Sequence, residues 1–362
     1  VMLWMIIAGG IKRIAKIASK LVPIMAVIYF GGALVVVAEN YQNIIPSFHS
    51  IFSQVFSGSA AAGGFLGASF AMSLKLGVAR GLYSNEAGQG SSPIAHASAK
   101  AEHSVEQGMV SILEPFIDTI VVCSVTALVI LSSGAWTQKY DNTFERSSMA
   151  IFAGSYAESN SKDVEELGKY ILDARNFTSD TTNVENFTGS LDLIEGQMQK
   201  QNVTVFHNNS IAEDVVFYQG GEPVSGLLEI SDGKIADSSV RVEGKSLIHS
   251  AELTSKAFGS GVLGIYGEYI VAIGLLLFAF STAIAWSYYG DRSTAYIFGE
   301  GAVPWYRMIY VACFIAAAVV DTTVIWNIAY VVVALVTIPN LIALFVLRKE
   351  MKEQVDSYVM EK

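Results

Sequence analysis

The chain reads as an all-α integral membrane protein with about seven transmembrane segments and one soluble α+β or mostly-β extracytoplasmic insert. Three observations predict this class. Apolar residues make up 52% of the 362 residues and charged residues only 15%, against roughly 25% charged in soluble domains. The apolar residues gather in runs long enough to cross a bilayer as helices, which needs about 20 mostly apolar residues. Most of the net charge of -10 sits in one stretch: residues 135–262 hold about 10 Lys/Arg against about 19 Asp/Glu, roughly -9, and the flanking apolar regions are near neutral. A disordered or collagen-like chain is excluded by 7 prolines and 31 glycines with no repeat. An acidic stretch between hydrophobic helices is also no nucleic-acid surface.

In chain order, an apolar run opens at residues 1–11. Fuller runs follow at 21–38, 60–82, 108–133, 264–290, 303–320 and 324–347. Length and scarcity of charge favour helix over strand in each, because periodicity alone cannot separate the two in a buried run. The expected organisation is a membrane region over 1–134, a soluble insert over 135–262, a second membrane region over 263–347 and a cytoplasmic tail over 348–362. The chain starts at Val1 inside an apolar run, with no basic stretch or cleavage site before it. The expectation is a fragment of a longer protein whose N-terminal part is missing.

Loop charges orient the helices. Lys12, Arg13, Lys16 and Lys20 place the first loop in the cytoplasm, and the Glu39–Phe56 connection, without Lys or Arg, outside. Lys100 returns inside, the acidic insert falls outside, and Arg292, Arg307 and the Arg348, Lys349, Lys352 tail fall inside. One alternating topology satisfies every short loop.

In the insert, Ser161–Ala174 predicts a helix, and Val203–Phe206, Val215–Tyr218 and Leu227–Ile230 predict strands. Gly220-Gly221 and Asp232-Gly233 supply hairpin turns. The Asn-x-Ser/Thr matches at Asn176, Asn186, Asn202 and Asn208 occur at chance level in this Asn/Thr-rich stretch. Cys123 and Cys313 both lie in apolar runs and form neither a disulfide framework nor a metal motif. His96 and His103 flank Lys100, while His207 and His249 lie in the insert without ligand spacing. No P-loop or HExxH motif occurs, so an ATPase or metalloenzyme is unsupported.

Three places carry chemistry. The first is GVARGLYSNEAGQGSSPIAHASAK, Gly77–Lys100. Ser84, Asn85, Glu86, Gly88, Gly90, Ser91, Ser92 and Pro93 interrupt an apolar approach. Irregular backbone at membrane depth is tolerated only inside protein or along a cavity, and broken helices of this kind form ligand sites in transporters. A plain cytoplasmic loop is the competing reading. The second place is FAFSTAIAWSYYG, Phe278–Gly290. The adjacent hydroxyls of Ser281 and Thr282 could join carbonyls in an oxygen shell for a hard monovalent cation, or simply bond back to their own helix. Trp286 shares a face with Thr282; its competing role is in an interfacial aromatic belt. The third place is the Glu114/Asp118 pair on one face of the 108–133 run. Carboxylates inside a membrane normally face the protein interior. They read either as a gating, ion-binding or proton-linked pair or as structural hydrogen-bond acceptors. Gly63xxxGly67 and Gly77xxxGly81 read as helix packing.

The Gly77–Lys100 segment resembles the signature of the alanine or glycine:cation symporter family. GGIKRIAKIASKLVPIMAVIYFGGAL, EPFIDTIVVCSVTALVIL, LLLFAFSTAIAWSYYGD and IPNLIAL are similar to that family's other blocks, in the same order. The resemblance covers most of 1–134 and about 246–347. It implies a LeuT-like helix bundle of two inverted five-helix repeats, in which this chain runs from the end of helix 4 through helix 10. Helix 5 then runs outward and helix 8 inward, as the loop charges also have it.

The resemblance further implies sodium-coupled uptake of a small neutral amino acid, alanine or glycine, across a bacterial inner (plasma) membrane. It assigns substrate contacts to Asn85, Gly88, Gly90, Thr282 and Trp286, and sodium to Ser281 and Thr282. Glu86 and Asp118 are the candidates for gating or coupling. The expected partners are the amino acid, the sodium ion and the lipid bilayer, with no other cofactor. Two features depart from the family pattern: the acidic insert, and Asn327–Thr337, which is less polar than expected. Rival readings are a proton-coupled carrier of the same fold, a non-transporting amino-acid sensor and, with no nucleophile–base pair behind it, an intramembrane enzyme.

Overall fold

The computed structural model describes residues 2–57, 70–86, 88–174, 182–199, 202–320 and 322–361. The Gly63xxxGly67 pattern, most of the 60–82 run's first half and Asn176 lie outside the described residues. The helices are α1 (Met2–Ile7), α2 (Gly10–Glu39), α3 (Ile44–Ser57), α4 (Phe70–Asn85), α5 (Ser92–His96), α6 (Ser104–Ser111), α7 (Leu113–Pro115), α8 (Cys123–Ser133), α9 (Ser161–Ala174), α10 (Ser250–Gly259), α11 (Ile265–Phe298), α12 (Val303–Ala317) and α13 (Thr322–Glu361). A π-helical stretch, Phe116–Val122, joins α7 to α8. Pro115 lies just before it, and a proline has no N–H to continue the helical ladder.

Among the described residues four helical segments are long and apolar enough to cross a membrane: Arg13–Glu39, Ser104–Ser133, Ile265–Phe298 and Ile328–Met360. The helices differ from the sequence expectation at their ends. The basic stretch at 12–20, expected as a loop, forms the first turns of α2, because Lys, Arg and Ala are all good helix formers. α13 likewise continues through the expected tail to Glu361, carried by Lys and Glu that favour helix. α12 has 15 residues, shorter than the 303–320 run suggested.

The chain divides into two compact units, Val1–Gly31, Val78–Val125 and Ala272–Lys362 in one, Gly32–Gly77 and Thr126–Val271 in the other. The second unit holds every described strand: β1 (Tyr140–Thr143), β2 (Met149–Ala153), β3 (Glu185–Asn186), β4 (Gly189–Ile194), β5 (Gln197–Met198), β6 (Val203–His207), β7 (Ser210–Ile211), β8 (Glu213–Gln219), β9 (Glu222–Pro223), β10 (Gly226–Ser231), β11 (Lys234–Ile235) and β12 (Val240–Ser246). They form three four-stranded antiparallel sheets, ordered β1-β12-β8-β9, β11-β10-β4-β5 and β3-β2-β6-β7.

Alternation builds the core of these sheets. Leu191 and Leu193 of β4 point inward with Leu228 and Ile230 of β10 and Val240 and Val242 of β12. α9 lays Val164, Leu167 and Ile171, one helical stripe, on Phe152 and Phe206. Each fully buried side chain of this kind contributes roughly 1.5–3 kcal/mol. Both residues of the Gly220-Gly221 and Asp232-Gly233 turns have positive φ, as two-residue hairpins require. Glu195-Gly196 and Asn208-Asn209 do the same. The turn pairs recur a dozen or so residues apart, each joining a long strand to a short one.

His207 is buried in this unit and stacks on Phe144 at 4.4 Å. Its Nε2 accepts the Glu145 backbone N–H at 3.2 Å. The ring proton is therefore assigned to Nδ1, which donates to Ser246 Oγ at 2.7 Å. Burial, and to a lesser degree His249, lowers its pKa from 6.5 to about 4. The neutral ring is the folded form, so its stabilisation is complete above pH 6.5 and fades as pH falls towards 4. Acidifying across that window should cost this unit about 3 kcal/mol, read as a falling melting temperature. His207→Gln should flatten that slope; an unchanged slope would show that other groups set it.

In the first unit Leu3, Ile7 and Ile14 pack with Ala283, Ile284 and Tyr288 of α11. Arg307 of α12 forks onto buried Asp291 of α11, with Nη2 at 2.6 Å from Oδ2 and Nε at 3.1 Å from Oδ1. Removing one partner of a buried pair strands the other charge. Arg307→Ala should therefore destabilise the helical unit by about 3–5 kcal/mol, seen as early melting of the purified full-length protein. Arg307→Lys, lacking the fork, should rescue only part.

Candidate functional site

α4 stops at Asn85 and α5 begins at Ser92. Between them Glu86, Gly88 and Gly90 have φ of 53°, 76° and 84°, a left-handed region that ends any right-handed helix. Pro93, at the start of α5, suits a first turn because its missing N–H would be unpaired there anyway.

The polar groups freed by the break find partners inside the protein. The Gln89 N–H donates to the Glu86 carbonyl at 3.1 Å. The buried Gln89 side chain donates through Nε2 to the Leu82 carbonyl at 3.0 Å, in the last turn of α4. Asn340 Nδ2, from α13, donates to the Gly88 carbonyl at 3.0 Å.

Glu86 is held at both oxygens. Buried Ser91 donates to Oε2 at 2.5 Å. Trp286 of α11 donates through Nε1 to Oε1 at 2.9 Å. The Trp286 ring also meets Tyr289 edge-on at 5.8 Å. The glutamate at the break is thus the acceptor that joins the broken helix to α11.

Asp118 lies in the π-helical stretch. It accepts from Ser84 and from its neighbour Thr119, at 3.3 Å. Asn85 Nδ2 donates to Thr119 Oγ1 at 3.0 Å. Glu114, one turn earlier, serves α5 instead: Ser92 Oγ donates at 2.9 Å and His96 Nε2 sits at 3.2 Å. Gln107 Nε2 lies 2.7 Å from His96 Nδ1, which makes Nδ1 the acceptor and leaves Nε2–H to donate to Glu114. The two carboxylates that the sequence pairs as i,i+4 therefore hold different parts of the broken segment.

Asn85, Glu86, Gly88, Gly90, Asp118 and Trp286 accordingly fall in one neighbourhood of the helical unit. Ser281 Oγ donates to the Phe278 carbonyl of its own helix at 2.9 Å. Thr282 is exposed on α11, one turn before Trp286. Sequence reasoning named Ser91 only as part of the polar interruption and Asn340 only within the IPNLIAL block, and gave no role to Thr119, which adjoins Asp118.

The order of these blocks along the chain has counterparts elsewhere. Residues 1–160 and 235–362 match the sodium:alanine symporter family. The chain belongs to that family. It is a family of transporters, not enzymes, and its apolar helices are those of a membrane protein. The sodium/alanine symporter AgcS of Methanococcus maripaludis is 30% identical over 342 residues, 94% of this chain and 51% of that protein. The probable sodium/glutamine symporter GlnT of Bacillus subtilis is 44% identical over 131 residues, 36% of this chain and 27% of that protein. The sodium/proton-dependent alanine carrier protein of Bacillus sp. (strain PS3) is 39% identical over 139 residues, 38% of this chain and 30% of that protein. The chain spans about half the length of the curated relatives that align along nearly all of it. The family match skips 161–234, the stretch containing α9 and β3 to β10.

The two glycines of the break differ in their surroundings. A Cβ on Gly90 would lie 3.0 Å from Asn340 Cβ, whereas one on Gly88 would find nothing nearer than Leu341 Cδ2 at 3.9 Å. Gly88→Ala should therefore cost only the left-handed strain, roughly 1–2 kcal/mol. Gly90→Ala should add a packing clash of about 1–3 kcal/mol. Thermal melts of the two variants in the full-length protein, with Gly90→Ala the lower, are the check; equal melting points would show that Asn340 yields freely.

Proposed function

We propose that the full-length protein carries out sodium-coupled symport of a small neutral amino acid, alanine or glycine, by alternating access in a LeuT-like bundle of the plasma (inner) membrane. The observation that carries this reading is the broken α4–α5 segment joined through Glu86 to Trp286 of α11 at 2.9 Å. A discontinuous helix exposes backbone N–H and carbonyl groups that can meet both ends of an amino-acid zwitterion. In this reading Asn85, Gly88, Gly90 and Thr282 contact substrate, and the Trp286 ring limits side-chain size. Ser281 turns its hydroxyl from the Phe278 carbonyl to a sodium ion shared with Thr282 and with segments outside this chain. Glu86 and Asp118 tune the energy difference between outward- and inward-facing states. Coupling requires such a difference, because an ion that binds both states equally shifts neither.

Family membership and the AgcS relative support the cation and the substrate class; the glutamine carrier among the relatives leaves room for a larger side chain. Loop charge supports an outward-facing insert over 135–262. One observation favours a second reading, proton coupling in the same fold. Glu86 and Asp118 each accept hydrogen bonds from neighbouring elements, so protonating either would weaken a charge-assisted contact between helices. The PS3 relative is named for both cations.

Uptake of labelled alanine into liposomes bearing the full-length protein, in sodium or potassium at equal pH, tests the assignment. Sodium should raise accumulation at least tenfold, and Thr282→Ala should abolish that gain. Uptake indifferent to sodium but lost in Glu86→Gln or Asp118→Asn would replace sodium by the proton.

A further inference from the structure

We infer that Asn340 is a positioning residue: it holds the Gly88 carbonyl of the broken segment and so makes α13 part of the transport cycle. The inference rests on the symporter reading above and adds to it a helix for which that reading has no role.

Three observations meet at this side chain. The Gly88 carbonyl lies in the break between α4 and α5, outside both helices. Its donor is Asn340 Nδ2 at 3.0 Å. The same side chain lies against Gly90, where a Cβ would sit 3.0 Å from Asn340 Cβ and 3.1 Å from both Cγ and Oδ1. Gly90 is thus small where Asn340 must approach, and its φ of 84° is one a glycine adopts without strain. Finally, Asn340 directly follows Pro339, the proline inside α13. Pro339 has no N–H to give the Leu335 carbonyl, so the ladder of α13 is weakest within one turn of the contact.

A donor placed at a weak point of a helix can move with that helix. Bending of α13 at Pro339 displaces Asn340 and with it the Gly88 carbonyl, while ligand bound at the break fixes that carbonyl and favours the arrangement of α13 seen here. Only a donor serves. An aspartate of the same shape presents a second acceptor to the carbonyl and repels it.

The test uses the full-length protein, with two readouts. In proteoliposomes Asn340→Asp should raise the alanine concentration for half-maximal sodium-driven uptake by tenfold or more, with the maximal rate within threefold of wild type. Asn340→Gln, which keeps the donor, should recover part of the loss. Ile342→Ala, which trims an exposed apolar neighbour in the same turn, should stay within twofold of wild type. In detergent, hydrogen exchange at the Gln89–Ser91 amides should quicken by tenfold or more in Asn340→Asp, a readout that needs no transport. Exchange and half-saturation both unchanged in Asn340→Asp would overturn the positioning role, as would an equal rise in Ile342→Ala. If Asn340→Asp does not fold, Asn340→Ala, which has no side-chain donor, carries the same expectations. A wild type without cation-driven uptake would fail the symporter reading, and the exchange rates would still decide the role of Asn340.

Discussion

A carbonyl or N–H that leaves a helix within hydrocarbon must find a partner in the protein, at a penalty of several kcal/mol if it does not. The segment from Glu86 to Ser91 is where this chain leaves its helix and its polar groups turn to other elements. Its left-handed residues end α4; Gln89 and Asn340 meet the Leu82 and Gly88 carbonyls, and Ser91 and Trp286 meet the Glu86 carboxylate. These partners come from the segment itself, from α11 and from α13. Satisfying the break therefore brings together helices far apart in sequence. The carboxylates of the 104–133 segment also take donors flanking the break: Asp118 takes Ser84 and Glu114 takes Ser92.

The strand-bearing region obeys the opposite rule. Its backbone is satisfied by sheet ladders, and its order comes from strand alternation and tight turns. Its buried core is Leu, Ile, Val, Phe and Met, drawn mostly from β2, β4, β6, β8, β10 and β12. His207 is an exception, kept neutral by burial and fixed by one donor and one acceptor. The family match omits 161–234, yet Leu191, Leu193 and Phe217 of that stretch share one core with Phe144, Ile151, Val240 and Val242 from the matched residues on either side.

Legibility differed from residue to residue. Strands β6, β8 and β10 and helix α9 stand where alternation and helical spacing placed them. The Asp232-Gly233 and Gly220-Gly221 turns were visible because their composition is specific to positive φ. Asn208-Asn209 was not, because asparagine is common outside turns. Helix ends were the weaker part, since Lys, Arg and Glu continue a helix as readily as they leave one. The broken segment stood out because Gly, Ser, Asn and Glu are costly in an apolar run. Asn340 did not, because a single polar residue in a long helix has several benign explanations.

By itself the sequence determined that this is a membrane transporter with several long apolar helices, and it marked the acidic stretch and the residues of the break. All of these follow from local composition and from the solvation cost of polar groups. Only the tertiary structure decided which donor meets which acceptor. Glu86 is joined to Trp286, Gly88 to Asn340, and Glu114 and Asp118 serve different elements. Those pairings join positions up to 252 residues apart. A hydrogen bond depends on ångström-scale distance and direction, which helix packing sets and local pattern does not encode.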